Sequence, residues 1–166
     1  MLVEQNSHRI FRLAFRMTGS EHDAEDVVQE TFLRAYRNLG RFDSRAKVAT
    51  WLNAIASNCA IDLLRKRKYR RTEKLDEQAP VGAPVSNRPA PDRVAMGSEL
   101  RERVDAALLK LSARERIAFS LRHFEGQSIR EVATAMKMPE GSVKNTIFRA
   151  VRKLRAALGP ALGVPR

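Results

Sequence analysis

The sequence predicts an all-α protein: two small helical bundles joined by a flexible linker, the C-terminal one containing a helix-turn-helix. Three observations carry this. Apolar residues recur at helical spacing in segment after segment, and no stretch alternates long enough to make a useful strand. The stretch from Thr72 to Gly97 loses that period and holds four of the chain's seven prolines, a composition that stays extended. Residues 128–155 read as two helices around a tight turn.

Taken in order, Ile10, Leu13, Ala14 and Met17 form the stripe of a first helix, widened by Phe11 and Phe15, which Gly19 closes. A second helix opens at Ser20, with Glu21, Asp23 and Glu25 at the positive end of its dipole. Ala24, Val27, Val28, Phe32, Ala35 and Leu39 are expected to face inward. That leaves Asp26, Gln29, Glu30 and Leu33 outside, an acidic and apolar strip on a basic chain. Such a strip is either a solvated face or a docking surface for a partner helix.

Residues 40–50 break the pattern. They are basic at Arg41, Arg45 and Lys47 and aromatic at Phe42, and Trp51 opens the next helix. Leu52, Ile55, Ala56, Cys59 and Leu63 give that helix a core stripe, so Cys59 reads as a small core residue. The helix runs into Arg65-Lys66-Arg67-Lys68-Tyr69-Arg70-Arg71. A basic run beside aromatics is either solvated or tracks a nucleic-acid strand, with cations on phosphates and rings on unpaired bases.

After the linker, Leu100, Val104, Ala107, Leu108 and Leu111 predict one helix. The capping box Ser112-x-x-Glu115 opens another, with Ile117, Ala118 and Leu121 inside and Gly126 as its end. A third begins at the box Ser128-x-x-Glu131, with Ile129, Val132, Ala133 and Met136 inward. Pro139 suits the first turn of the last helix. Val143, Ile147, Val151 and Leu154 are its buried stripe, and Lys144, Asn145, Phe148, Arg149 and Arg152 lie opposite. Gly159 and Pro160 are expected to stop it and leave a frayed tail.

That outer face has the chemistry of major-groove readout. Arg and Lys bond the guanine edge, Asn bonds adenine, and Phe touches a thymine methyl. A helical hairpin with a solvated basic face remains the alternative.

The 166-residue chain carries 43% hydrophobic residues, enough for real cores, and a formal charge of +12 with a pI near 10.8 that points to a polyanion. The charge falls in two blocks: +6 over residues 1–71, −1 over 72–97 and +7 over 98–166. One cysteine excludes an internal disulfide framework, and 3 histidines without a Cys/His cluster argue against structural zinc. No apolar run reaches membrane-span length, and Glu4, Gln5, Asn6 and His8 interrupt any signal-peptide core, so a cytoplasmic location is expected.

Four stretches together resemble the extracytoplasmic-function (ECF) sigma factors of bacterial RNA polymerase: RIFRLAFRMTG at Arg9–Gly19, DAEDVVQETFLRAYRNLGRFD at Asp23–Asp43, TWLNAIASNCAIDLLRKRKYR at Thr50–Arg70, and LSARERIAFSLRHFEGQSIREVATAMKMPEGSVKNTIFRAVRKLR at Leu111–Arg155. The resemblance implies a polymerase-docking and minus-ten region over residues 1–71, a linker over 72–97 and a minus-thirty-five region over 98–166. It implies that Asp26, Gln29, Glu30 and Leu33 dock on the β′ clamp helices of core RNA polymerase, and that the β flap is a second polymerase contact. Phe42, Asp43, Ser44, Arg45, Lys47 and Trp51 would lie at the opened minus-ten element, where a base is flipped into a pocket. Asn53, Asn58, Asp62, Arg65 and Lys66 would contact that strand or the duplex upstream. Lys144, Asn145, Phe148, Arg149 and Arg152 would read the minus-thirty-five element in promoter DNA.

The same resemblance implies no catalytic residue, metal or cofactor, because the polymerase performs the phosphoryl transfer. It implies a cognate anti-sigma factor, which can hold such a chain at the membrane without membrane insertion of the chain itself. Two departures stand out. The first helix begins later than is usual in the family, which implies an upstream start or a trimmed form. Asn145 stands where serine is common, which implies a minus-thirty-five sequence different from the usual one. From the residues alone, a conventional dimeric helix-turn-helix regulator and a nucleic-acid enzyme also remain open.

Overall fold

The computed structural model describes residues 2–74 and 97–162. The chain divides into two compact units, Met1–Ser86 and Asn87–Arg166. Among the described residues all regular structure is helical. Most of the expected linker, residues 75–96, lies outside the described residues.

The first unit is a three-helix bundle of α1 (Leu2–Thr18), α2 (Glu21–Arg37) and α3 (Val48–Lys74), each packed on the other two. Gly19 ends α1 at φ 73°, a left-handed conformation that glycine adopts without a Cβ penalty, and its amide bonds the Phe15 carbonyl at 2.8 Å. Ile10, Leu13 and Met17 of α1 meet Ala24, Val27 and Ala35 of α2 and Leu52, Ala56, Cys59 and Ala60 of α3 in the core. Small residues dominate the α2 and α3 contributions. Thr31 is also fully buried, its hydroxyl donating to the Val27 carbonyl at 2.6 Å.

Leu39 does not face inward as expected. It is 52% exposed, because α2 ends at Arg37 and Leu39 opens a 3-10 turn (Leu39–Arg41) that leaves the helical register. The helix α3 also continues three residues beyond the expected boundary at Arg71, to Lys74.

The second unit contains α4 (Ser98–Leu109), α5 (Ala113–Phe119) with a π turn over Ser120–Phe124, α6 (Ile129–Met136) and α7 (Glu140–Leu162). Helix α7 is its axis: α4, α5 and α6 all pack against it. Both expected capping boxes form, Ser112 with Glu115 and Ser128 with Glu131, so each helix start satisfies two otherwise orphaned amides. Gly126, at φ 66°, reverses the chain before α6.

Three expectations are corrected here. Leu100 is exposed, because the buried contacts of α4 begin at Val104. Pro139 stands one residue ahead of α7 rather than in its first turn, and its carbonyl accepts the Val143 amide at 3.1 Å. Helix α7 passes through Gly159 and Pro160. Leu158 packs against Ala107, Leu108, Leu111, Ala150 and Leu154, and that packing outweighs the local stop signals.

Candidate nucleic-acid and partner interfaces

The α2 strip is presented outward. Asp26, Gln29 and Leu33 are exposed and Glu30 is half-buried. Tyr36, 80% exposed, extends the strip by one turn, a residue the apolar pattern did not single out. Helical periodicity would have found it, since it follows Leu33 at i+3. The strip is not electrostatically bare. His22 Nε2 lies 3.7 Å from Asp26 Oδ2. Arg34 Nε lies 2.8 Å from Glu30 Oε1, while its Nη1 lies 3.2 Å from Asp62 Oδ2 on α3. One guanidinium therefore serves an acid of the expected docking strip and an acid of the expected DNA face.

The loop ahead of α3 is built around an aromatic pair. The Phe42 and Trp51 rings sit 4.8 Å apart at 44°, both half-buried. Asp43 folds the intervening segment: its carboxylate accepts the Arg45 amide at 3.0 Å and its carbonyl accepts the Ala46 amide at 2.9 Å. Asp43, Ser44, Arg45 and Lys47 are consequently displayed at the surface.

On α3 the expected contacts separate. Arg65 and Lys66 are exposed. Asn58 is half-buried, with its Nδ2 donating to the Ala54 carbonyl at 3.0 Å. Asp62 is held by Arg34. Asn53 is corrected: it is buried, and its Oδ1 accepts Arg9 Nη1 at 2.6 Å, so it joins α3 to α1 inside the bundle instead of facing DNA. Sequence reading also passed over Asp23 as an ordinary first-turn acid. It is 1% exposed and ion-paired with Arg67, 44 residues away.

In the second unit the expected readers stay together. Lys144, Asn145, Phe148, Arg149 and Arg152 are all exposed on α7, and Phe148 is 64% exposed. Val143, Thr146, Ile147, Ala150 and Leu154 are buried on its opposite side. Lys137 makes the turn before α7 at φ 54°, a left-handed position that costs a non-glycine residue about 1 kcal/mol. Helix α7 is anchored to α5 by Lys153 Nζ, 2.8 Å from Glu115 Oε2. Burial pushes the Glu115 carboxyl up, but bonds from Lys153 and the Ser112 amide, with the charges of Lys153 and Arg149, bring it below its ordinary range. Beside this anchor Phe119 contacts both His123 and Phe124, and Phe124 is partly exposed on the π turn.

No group of His, Cys, Asp or Glu among the described residues is arranged to hold a metal ion. The Cys59 thiol is buried, and burial pushes its pKa up, away from the reactive thiolate. No helix among the described residues is long and apolar enough to cross a membrane.

Residues 2–70 match the family described as Sigma-70 region 2, and residues 101–154 match Sigma-70, region 4. The chain is 33% identical over 165 residues to the ECF RNA polymerase sigma factor SigW of Bacillus subtilis, covering 95% of this chain and 87% of the relative. The chain belongs to the ECF sigma factor family. It is also 34% identical to the RNA polymerase sigma-H factor of Pseudomonas aeruginosa, over 98% of this chain and 86% of that one. The sigma factor RpoE of Bartonella quintana, solved with the anti-sigma factor NepR, shares the fold at a TM-score of 0.74 and 23% identity, covering 95% and 94% of the two chains. CnrH, solved with the cytosolic domain of CnrY, matches at a TM-score of 0.63 and 28% identity, covering 96% and 86%. As a sigma factor the chain binds core RNA polymerase and directs promoter-specific initiation, and it is not an enzyme. The acidic strip, the aromatic loop and the helix-turn-helix thus belong to one initiation factor. The dimeric-regulator and nucleic-acid-enzyme readings fall away.

Proposed function

We propose that the two units divide the work of initiation by residue as follows. Asp26, Gln29, Glu30 and Leu33 dock on the β′ clamp helices, and the second unit meets the β flap. Phe42, Asp43, Ser44, Arg45, Lys47 and Trp51 receive the non-template strand at the minus-ten element, with Asn58, Asp62, Arg65 and Lys66 along α3 next to it. Lys144, Asn145, Phe148, Arg149 and Arg152 read the minus-thirty-five element from the major groove. The working boundaries are residues 1–71, 72–97 and 98–166. The α3 helix carries the first region three residues further, to Lys74.

The observation that carries this reading is the α2 strip: two acids, Asp26 and Glu30, beside an exposed leucine, on a chain of net charge +12. Acids on a DNA-binding chain oppose DNA, so their clustering with the exposed Leu33 fits a protein partner. The mechanism is passive. Unpaired bases gain stacking and phosphate contacts that the duplex lacks, and this offsets the stacking lost on opening.

An anti-sigma factor controls the chain in this reading, which places it in the cytoplasm, free or held at the membrane by that partner. CnrH is captured with the cytosolic domain of CnrY, which is the arrangement this requires.

Run-off transcription with sigma-free core polymerase tests the assignment. Asp26→Arg with Glu30→Arg is expected to abolish polymerase binding and initiation while duplex binding by the second unit survives. Unchanged polymerase affinity in that double variant removes the strip from the interface.

A further inference from the structure

We propose that Asp23 is a positioning residue that holds the basic run Arg65–Arg71 as a preformed helix for promoter DNA. The proposal rests on the reading that this end of α3 lies along DNA. Three helix starts among the described residues share the pattern Ser-x-x-acid. At Ser112 and Ser128 the acid is glutamate, and its carboxylate returns to the N-cap amide to complete the box. At Ser20 the acid is aspartate, one methylene shorter. Here the Ser20 hydroxyl accepts the Asp23 amide at 3.4 Å, but the carboxylate leaves its own helix start and pairs with Arg67 of α3.

The run it holds gains little from apolar packing. Residues 65–71 are all exposed, and six of the seven are Lys or Arg. On a helix, Arg65 neighbours Lys68, Lys66 neighbours Arg70 and Arg67 neighbours Arg71, so like charges repel along the whole run. Among the described residues, the half-buried apolar positions of α3 end at Leu63 and Leu64, yet the helix continues to Lys74. The Asp23 carboxylate, itself buried, ties the run back to the bundle. A run already helical meets the phosphates without an ordering cost at binding. Asp23 also stands three residues before Asp26, so the tie joins the start of the docking helix to the DNA-tracking end of α3.

The sign of one substitution separates positioning from charge. Asp23→Asn removes a negative group beside the run, so simple electrostatics would leave DNA binding unchanged or tighten it. Positioning requires it to weaken. The experiment measures hydrogen exchange in the full chain, and retention by core polymerase plus chain of a promoter fragment selected with the unsubstituted protein. The expected result is exchange about tenfold faster at residues 65–74 with no change at 52–60, and promoter retention weakened roughly fivefold. Arg67→Gln should match it in hydrogen exchange, and the double variant should exchange no faster than either single one. Unchanged or tighter promoter binding in Asp23→Asn overturns the proposal. So does faster exchange at 52–60, which would make Asp23 a general prop of the bundle. If Asp23→Asn does not fold, hydrogen exchange in Arg67→Gln decides: faster exchange at residues 65–74 with 52–60 unchanged supports the proposal, and unchanged exchange at 65–74 overturns it, because the lost cation weakens DNA binding by itself. Promoter retention that Arg65→Ala with Lys66→Ala leaves unchanged would instead count against the reading that this end of α3 lies along DNA.

Discussion

The two units present their surfaces in different ways. In the second, the proposed readers occupy the face of α7 opposite a continuous buried stripe, and Lys153 on the same helix anchors it to α5. Core and proposed interface are two sides of one helix. In the first, the polar groups near the expected interfaces are partly consumed by the fold: Asn53 by Arg9, Asp23 by Arg67, and Glu30 and Asp62 by Arg34. A polar residue in the second unit's α7 face is a good candidate contact. A polar residue on α3 of the first unit is as apt to be a joint between helices.

Substituting one residue of each kind tests that contrast most strongly. Arg149→Ala should leave folding intact and cost about 1–3 kcal/mol at the selected minus-thirty-five sequence, read as a loss of affinity against a mismatched site. Equal losses on every sequence would reduce Arg149 to a phosphate contact. Asn53→Ala should do the reverse, costing about 1–3 kcal/mol of unfolding free energy by stranding buried partners. Promoter affinity measured on the folded fraction should hold. A folded Asn53→Ala protein with specific DNA loss would return Asn53 to the interface and erase the contrast.

The same contrast explains what could be read in advance. The α-helices among the described residues followed from periodicity and from glycine and serine punctuation, because each buries one stripe. The exposed face of α7 was legible because its residues are what remains when that stripe is subtracted. The misses have physical causes. The Asp23–Arg67 and Arg9–Asn53 pairs each span 44 residues, and no local pattern encodes such a distance. Asn53 lies one residue from core Leu52, where a helix stripe shades from buried to exposed. Leu39 was lost to the 3-10 turn, and Pro160 was overridden by the packing of Leu158. Helix propensity is weaker than tertiary contact in both directions.

A smaller effect probes the anchor of α7 on α5. Folding holds the Glu115 carboxyl below its ordinary pKa of 4.5. A depressed carboxyl stabilises the fold above the unfolded pKa, and that contribution is lost as pH falls through the folded one. The second unit should therefore weaken progressively below pH 4.5. Glu115→Gln should cost about 1–2 kcal/mol near neutrality and flatten this acid limb, as followed by thermal melts across pH. An unchanged acid limb would show that Lys153 adds little and that α7 is held by its apolar stripe alone.

The smallest effect concerns Arg34, and its sign carries the information. Its two carboxylate partners lie in solvent-exposed surroundings, so Arg34→Met should change stability by less than about 1 kcal/mol. The substitution also frees Glu30 from an i,i+4 partner worth about 0.3–0.5 kcal/mol. If Glu30 docks on polymerase, that release should tighten core binding by roughly twofold, the opposite of what strip substitutions do. Titration of core polymerase with each variant reads this directly. Weaker binding by Arg34→Met would mean that the guanidinium holds Glu30 in its docking pose or touches the polymerase itself. The first unit's ion pairs would then be part of its interface, and the division between joints and contacts would hold only for Asn53 and Asp23.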